Sequence, residues 1–230
     1  MRAGVASSFA CVLAATAADE RFLYAISSRA IARYDRATGK KDAESRGTAE
    51  HLNSGFFWDG KLYCAHSNYP TKPEQSEIRV LDARTMELTA YKDFGQSDGS
   101  LTWAVRHADH WWCTFAFYGD QNPKTYLAQF GEGWRELRRW RYPPEVVRRL
   151  AGNSVSGGLW WNETLLVTGH DAREIYRLRL PDQGDTLEYL GTMPAPFTGQ
   201  GIARDPLTGG LVGIDRARRQ IIIAELKPVR

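Results

Sequence analysis

Five versions of one hairpin pattern, starting near residues 9, 51, 99, 156 and 200, predict an all-β chain folded as a five-bladed β-propeller. Three observations carry that expectation. The copies lie 42, 48, 57 and 44 residues apart, and a period of about 40–50 residues holding several short strands marks propeller blades. Behind each copy stands another short apolar run that can serve as a third strand. The last copy has too little chain after it for a fourth strand, and Arg2 to Ser8 can supply one. A ring closed by the N-terminal strand leaves no long exposed edge.

The clearest copy spans Glu50 to Tyr69: an apolar run, the pair Asp59-Gly60, a second apolar run and a polar exit. A type I′ turn needs positive φ at its two central residues, which is why Asp-Gly between apolar runs signals a hairpin. The first copy runs Ala10 to Ala14, turns at Asp19-Glu20 and returns over Phe22 to Ile26. Copy three pairs Asp98–Val105 with Trp111–Tyr118, and copy four pairs Ser154–Trp161 with Leu165–Asp171 across Asn162-Glu163. Copy five pairs Gly199–Asp205 with Leu211–Arg216. Third strands follow at Ala30–Tyr34, Glu77–Leu81, Tyr126–Phe130, Glu174–Leu180 and Gln220–Ala224. The first two alternate in period two and end in Asp-x-x-Thr (Asp35, Thr38; Asp82, Thr85), where the carboxylate can accept from turn amides. Arg135 to Leu150 departs from the pattern. Pro144 ahead of Glu145-Val-Val-Arg-Arg-Leu150 signals a helix start, so this segment reads as a fourth strand and a short helical crossing. The whole chain is then one domain, with blades at about 9–48, 49–96, 97–152, 153–197 and 198–230 plus 2–8.

Composition bounds the function. With 43% hydrophobic and 12% aromatic residues the chain can bury a full core. A net charge of +3 is too mild to imply nucleic acid or a membrane surface, and no run reaches the length of a transmembrane helix. A monomer is expected. Cys11, Cys64 and Cys113 form neither a disulfide framework nor a metal spacing, and Cys64 and Cys113 read as buried thiols, which tilts the compartment to the cytoplasm. Met1 to Ala17 imitates a weak export signal, but Ser7 and Ser8 interrupt it and the repeat claims its end as a strand, so retention is expected.

In a propeller the residues that open each inner strand and those that end its hairpin return meet at one face around the axis. Here these are His51, Asn53, Ser54, Asp98, Ser100, Ser154, Ser156 and Gln200 on the opening side, with Ser27, Ser28, Ser67, Asn68, Tyr69, Tyr118, Asp215 and Arg216 on the returning side. His66, His170 and Asp171 join the returning set. Turns ask for Ser, Asn and Asp, but not for histidine. His66, His170 and Asp171 are therefore the candidate catalytic groups, and the others, Ser27, Ser28, Ser54 and Ser154 aside, candidate ligand-binding groups. His51, His66, His170 and Asp171 have the donor chemistry for a divalent metal, although no His-x-x-x-His spacing accompanies them. His107 and His110 flank a turn on the opposite face and read as surface residues. Trp58, Trp103, Trp160 and Trp161 recur near hairpin turns and read as inter-blade packing. No nucleophile elbow or phosphate loop is present, since Gly157-Gly158 opens a strand and not a helix.

At His51-Leu-Asn-Ser-Gly55, Cys64-Ala-His-Ser-Asn-Tyr-Pro70, Gly99-Ser-Leu-Thr-Trp103, Ser156-Gly-Gly158 and Thr168-Gly-His-Asp171 the chain resembles a little-characterised family of bacterial propellers. That family sits within the wider group of YncE-like and glutamine-cyclotransferase-like repeats. The resemblance implies five blades over the whole chain. No position here matches the cyclotransferase's catalytic acid, so the resemblance implies no activity. Three functions stay open: a binding protein for a small polar or carbohydrate-like ligand, an enzyme (hydrolase, lyase or cyclotransferase-like) using a histidine base in the same mouth, and a protein-interaction scaffold.

Overall fold

The computed structural model describes residues 2–8 and 13–225. Its strands are β1 (Arg2–Ser8), β2 (Ala15–Ala18), β3 (Phe22–Ile26), β4 (Ile31–Asp35) and β5 (Lys41–Glu44). There follow β6 (His51–Trp58), β7 (Lys61–Ser67), β8 (Gln75–Asp82) and β9 (Leu88–Gln96), then β10 (Ser100–His107), β11 (His110–Ala116), β12 (Tyr126–Phe130) and β13 (Glu136–Arg141). After the helix α1 (Pro144–Leu150) come β14 (Gly157–Trp161), β15 (Thr164–Thr168), β16 (Glu174–Arg179) and β17 (Glu188–Pro194). The chain ends with β18 (Thr198–Arg204), β19 (Leu211–Asp215) and β20 (Gln220–Glu225). They form five four-stranded antiparallel sheets, β2–β5, β6–β9, β10–β13, β14–β17 and β18–β19–β20–β1. The protein is a five-bladed β-propeller, and its N-terminal strand completes the fifth blade by pairing with β20, Arg2 opposite Glu225 and Ser8 opposite Gln220.

Local chemistry explains the repeat. Asp35 Oδ1 accepts from the amides of Ala37 and Thr38 at 3.1 and 2.9 Å, and Asp82 Oδ1 accepts from Arg84 and Thr85, both at 2.9 Å. The Thr amide bonds above all hold both carboxyls below their usual range. Asp205 and Thr208 repeat the device in the fifth blade, where Thr208 Oγ1 donates to Asp205 Oδ2 at 2.7 Å. Pro144 opens α1 and Ala151, with φ of 50°, ends it in the left-handed region.

The inner strands β2, β6, β10, β14 and β18 start at what we call the upper face and end at the lower one. Three of them lose ladder register near the start, at Leu52/Gly55, Leu101/Trp103 and Thr198/Ala203. At these breaks and at the matching positions of the other blades, groups at the rim bond to a neighbouring blade. Leu52 N donates to Ser28 O (2.8 Å), Asn53 Nδ2 to Leu101 O (3.1 Å) and Thr102 Oγ1 to Val155 O (2.6 Å). Thr168 Oγ1 donates to Gln200 O (2.6 Å), and Gly201 N to Ala14 O (3.2 Å). All five junctions are thus sewn at the upper face. Bulges serve this role well because they release backbone groups and turn the strand.

Below that ring the axis is closed by small residues. A Cβ on Gly201 would stand 2.4 Å from the Ala15 Cβ and 2.9 Å from Ser54 Cα. Apolar clusters fill the seams between blades. Trp103 is fully buried and reaches the fourth blade because Gly158 has no side chain; a Cβ there would lie 2.4 Å from its indole. At the closing junction Arg36 makes a bidentate ion pair with Asp205, Nη1 to Oδ1 at 2.7 Å and Nη2 to Oδ2 at 2.9 Å. Both side chains are buried, the carboxylate entirely.

The innermost strand of the first blade is Ala15–Ala18, short and later than the expected start at Ala10. Ala10, Cys11 and Val12 lie outside the described residues. Cys64 and Cys113 are buried free thiols as expected, and burial pushes both thiols well above their usual range. Among the described residues no helix is long and apolar enough to cross a membrane.

Candidate functional site

The upper face opens on a cavity of about 190 Å³ lined by Ser28, His51, Asn53, Tyr69, Tyr118, Asn153, Ser154, Ser156, His170, Gln200 and Arg216, with Leu13 and Ala14 at its edge. Every blade contributes. Of the residues expected there, Ser28, His51, Asn53, Tyr69, Tyr118, Ser154, Ser156, His170, Gln200 and Arg216 converge. The reason is topological: each inner strand starts, and each hairpin return ends, at this rim.

His170, Asp171 and Arg216 form a relay. Asp171 Oδ2 lies 2.8 Å from His170 Nδ1, and Arg216 Nη1 lies 3.1 Å from His170 Nε2. A guanidinium can only donate, so Nε2 is the acceptor and Nδ1 carries the proton toward the carboxylate. Both ring nitrogens are engaged. The relay joins Arg216, at the rim of the cavity, to the imidazole and through it to Asp171. Asp171 itself is mostly solvent-exposed.

Tyr69 and Tyr118 form the aromatic wall, their ring centroids 4.5 Å apart. His51 meets the edge of Tyr69 at 5.6 Å. Burial, then the nearby His66, holds the His51 imidazole below its ordinary range, so it is neutral at neutral pH. It has no hydrogen-bond partner among the described residues. Burial, with Tyr69 next, pushes the Tyr118 phenol up to about 12, although hydrogen bonds from Ser100 and Ser154 oppose the shift. It stays protonated and able to donate. Ser154 and Ser156 share a 2.7 Å hydrogen bond on the floor. Gln200 occupies a bulge with φ of 84°, a strained value for a residue with a Cβ. Its backbone amide donates to Gly169 O (2.7 Å), and its side-chain Nε2 to His170 O (2.8 Å).

Other expected residues sit elsewhere. His66 is buried on the flank of the second blade: Nε2 accepts from the Glu50 amide at 2.9 Å, and Nδ1 lies 2.9 Å from Glu77 Oε1. Nε2 is spent on the blade and Nδ1 faces the Glu77 carboxylate, and the ring lines a separate polar cavity. Asn68 braces its own loop, donating to Pro73 O and accepting from Gln75 N, both at 2.9 Å. Asp98 stands exposed on a bend outside the cavity. Asp215 is buried under the fifth blade and bonds Arg173 Nη2 at 2.7 Å. Burial would raise its pKa, but the Arg173 bond, the Arg218 amide and the two positive charges outweigh it and lower the value. Ser67 is buried behind the rim, and Ser100 lies behind Tyr118. Among the described residues no three His, Cys, Asp or Glu side chains gather to hold a metal. His51, His66, His170 and Asp171 do not form one donor set.

Two groups went unseen in the sequence. Asn153 lines the cavity one residue before the expected start of the fourth copy, so a one-position shift of the pattern would have found it. Glu74 is a buried carboxylate that accepts from the Gly99 amide at 3.0 Å and holds Lys72 at 2.7 Å. Only the packing of one blade's loop on the next reveals it.

The lower face carries a larger cavity of about 660 Å³, lined by the ends of the inner strands and their turns. Its walls are aromatic (Phe56, Phe57, Trp58, Trp160) and include His107. His107 stacks on Trp160 at 5.0 Å with 14° between planes.

Comparisons with known proteins agree with the fold. The chain superposes on glutaminyl cyclase from Myxococcus xanthus with a TM-score of 0.58 at 10% identity, covering 91% of this chain and 87% of that one. A chain of a mitotic checkpoint complex matches with a TM-score of 0.50 at 10% identity, covering 90% of this chain and 73% of that one. No protein-family model matches, and no curated protein matches in sequence. The class is therefore that of a five-bladed propeller with a polar mouth at its upper face. One structural neighbour is a cyclotransferase at low identity, and the likeness is one of fold.

Proposed function

We propose that the upper mouth binds a small polar, carbohydrate-like molecule that carries a carboxylate. The observation that carries this reading is the relay from Asp171 through His170 to Arg216. It spends the imidazole on orienting a guanidinium, and a guanidinium at the rim of a small cavity is suited to a carboxylate. Tyr69 and Tyr118 offer ring faces, and Asn53, Ser154, Ser156 and the protonated Tyr118 offer donors and acceptors for hydroxyl groups. Such a site is concave, with a few convergent polar groups.

A matched ligand pair tests it. Galacturonate and galactose differ only in the carboxylate, and titration calorimetry against both measures what that group contributes. The reading expects galacturonate to bind at least tenfold more tightly, and Arg216→Gln to erase the difference with the fold intact. Equal binding of the two, or a preference that survives Arg216→Gln, overturns it.

One observation favours a second reading. His51 is neutral, lines the cavity and has no hydrogen-bond partner among the described residues, so it is the group placed to act as a general base. An enzyme of this kind would lose turnover in His51→Gln and keep it in His170→Gln.

A further inference from the structure

We infer that the lower-face cavity is a second binding site, one that takes a planar aromatic anion. The inference stands apart from the reading of the upper mouth, because the closed axis separates the two and they share no lining residue.

Three observations point to that ligand. The cavity, at about 660 Å³, has an apolar floor where the inner strands end, with Ile202 and Leu159 among its residues. Size and lining match sites for small organic ligands, which bind in mostly apolar clefts of roughly 300–1,000 Å³ with a few polar groups. Next, the wall at the fourth blade is an indole: Trp160, held flat against His107 at 5.0 Å. Its Nε1 is buried and has no hydrogen-bond partner among the described residues. Burial keeps His107 neutral, so it supports the ring without adding charge.

Charge supplies the third observation. In ring order the fourth blade stands between the third and the fifth. Those neighbours bring Arg106 and Arg204 to the same cavity. Arg106 lies over Trp58 with its guanidinium carbon 4.5 Å from the ring centroid, and Arg204 lies over Trp161 at 5.0 Å. Each is thus held by an aromatic face and keeps its donors for another partner. Arg106 also reaches Asp109 at 3.8 Å, but that carboxylate is almost wholly in solvent, where a pair is worth little. The cavity's acids come from the first and second blades, and Asp59 follows the Trp58 on which Arg106 lies. Asp19 is spent on its own turn, accepting from Arg21 N, Phe22 N and the Tyr24 hydroxyl at 2.7, 2.6 and 2.7 Å; Glu20 and Asp59 stand at exposed turn tips. A planar ring in this cavity can therefore turn its anionic group toward two guanidiniums, while the cavity's acids are bonded to their own turn or out in solvent.

Two probes with the same rings test the inference: 8-anilino-1-naphthalenesulfonate and N-phenyl-1-naphthylamine, which lacks the sulfonate. Fluorescence titration of the full chain should show one saturable sulfonate site, with at least tenfold weaker binding of the neutral probe. The double variant Arg106→Gln/Arg204→Gln should lose that tenfold preference, and Arg216→Gln at the other face should keep it. In the unmodified protein, the Trp160 indole N–H resonance, assigned through Trp160→Phe, should move as the sulfonate saturates, and this readout holds even if the double variant fails to fold. Equal binding of the two probes overturns the inference, as does many-site binding without saturation. An indole resonance that stays still, or a preference lost in Arg216→Gln, overturns it as well.

Discussion

The two mouths of this ring are built from the same five inner strands and are chemically opposite. At the upper face three strands bulge, backbone groups cross from blade to blade, and a small cavity gathers serines, amides, two histidines and an arginine. At the lower face the strands end in tight turns, the cavity is larger, and its walls are aromatic. The upper end of each blade receives two separate passages of chain, and their polar termini must be satisfied across the junctions. The lower end receives hairpin turns that satisfy themselves, as Asp19 does, so its inward positions are free to be apolar. One set of strands can therefore offer two recognition chemistries. The closed axis keeps them apart.

The largest expected break in that contrast lies at the closing junction. Asp205→Ala leaves Arg36 buried without its carboxylate, and removing one partner of a buried pair costs about 3–5 kcal/mol. Urea denaturation checks it. A loss no larger than that of an exposed pair would mean that the ring is held by its polar seams alone. The same pair has a pH signature. Burial would raise the Asp205 pKa, but the Arg36 hydrogen bond, Thr208 and the Arg36 charge overcome that and lower it. A carboxyl with a lowered folded-state pKa contributes stability that is present above its unfolded value of about 3.9 and lost as pH falls through the folded one. Denaturation midpoints should thus fall more steeply below about pH 4 in the native chain than in Asp205→Ala.

Arg216→Gln sharpens the comparison from the other side. It should weaken carboxylate binding at the upper mouth at least tenfold, about 1.4 kcal/mol, and leave the melting temperature nearly unchanged because the residue is partly exposed. Smaller again is Thr102→Val, which removes the hydrogen bond to Val155 O between the third and fourth blades. About 1 kcal/mol of stability should go, read by thermal unfolding. Gln200→Gly should alter stability by less than about 1 kcal/mol, because relief of the positive φ offsets the added freedom of the unfolded chain. Its effect should appear in ligand affinity instead, since the side chain that braces the His170 carbonyl is lost.

The blade count, the closing strand, the Asp-x-x-Thr turns and α1 were legible in the sequence because each is written locally, as a period, a turn pair or a proline. Convergence at the upper rim followed from topology, and it located His51, Tyr118, His170 and Arg216. Which side chains face the cavity was not legible. His66 and His170 occupy similar places in their copies, yet His66 meets Glu77 on the neighbouring strand and turns away, while His170 has Asp171 beside it and Arg216 opposite. Asp215 was lost to the mouth because Arg173, 42 residues away in sequence, claims it. The lower cavity was not foreseen at all. Its tryptophans do pack between blades, as Trp103 does, and no local pattern says that Trp160 also forms a wall.

Whether His170 anchors Arg216 or serves as a base can be read from long-range imidazole 15N correlation spectra of the unliganded protein. The expected result is the tautomer with the proton on Nδ1 and a hydrogen-bonded lone pair on Nε2, whose 15N shift moves in Arg216→Gln because its donor is lost. A proton found on Nε2 would contradict it, since Arg216 could not then donate to that nitrogen and the mouth would hold a different chemistry.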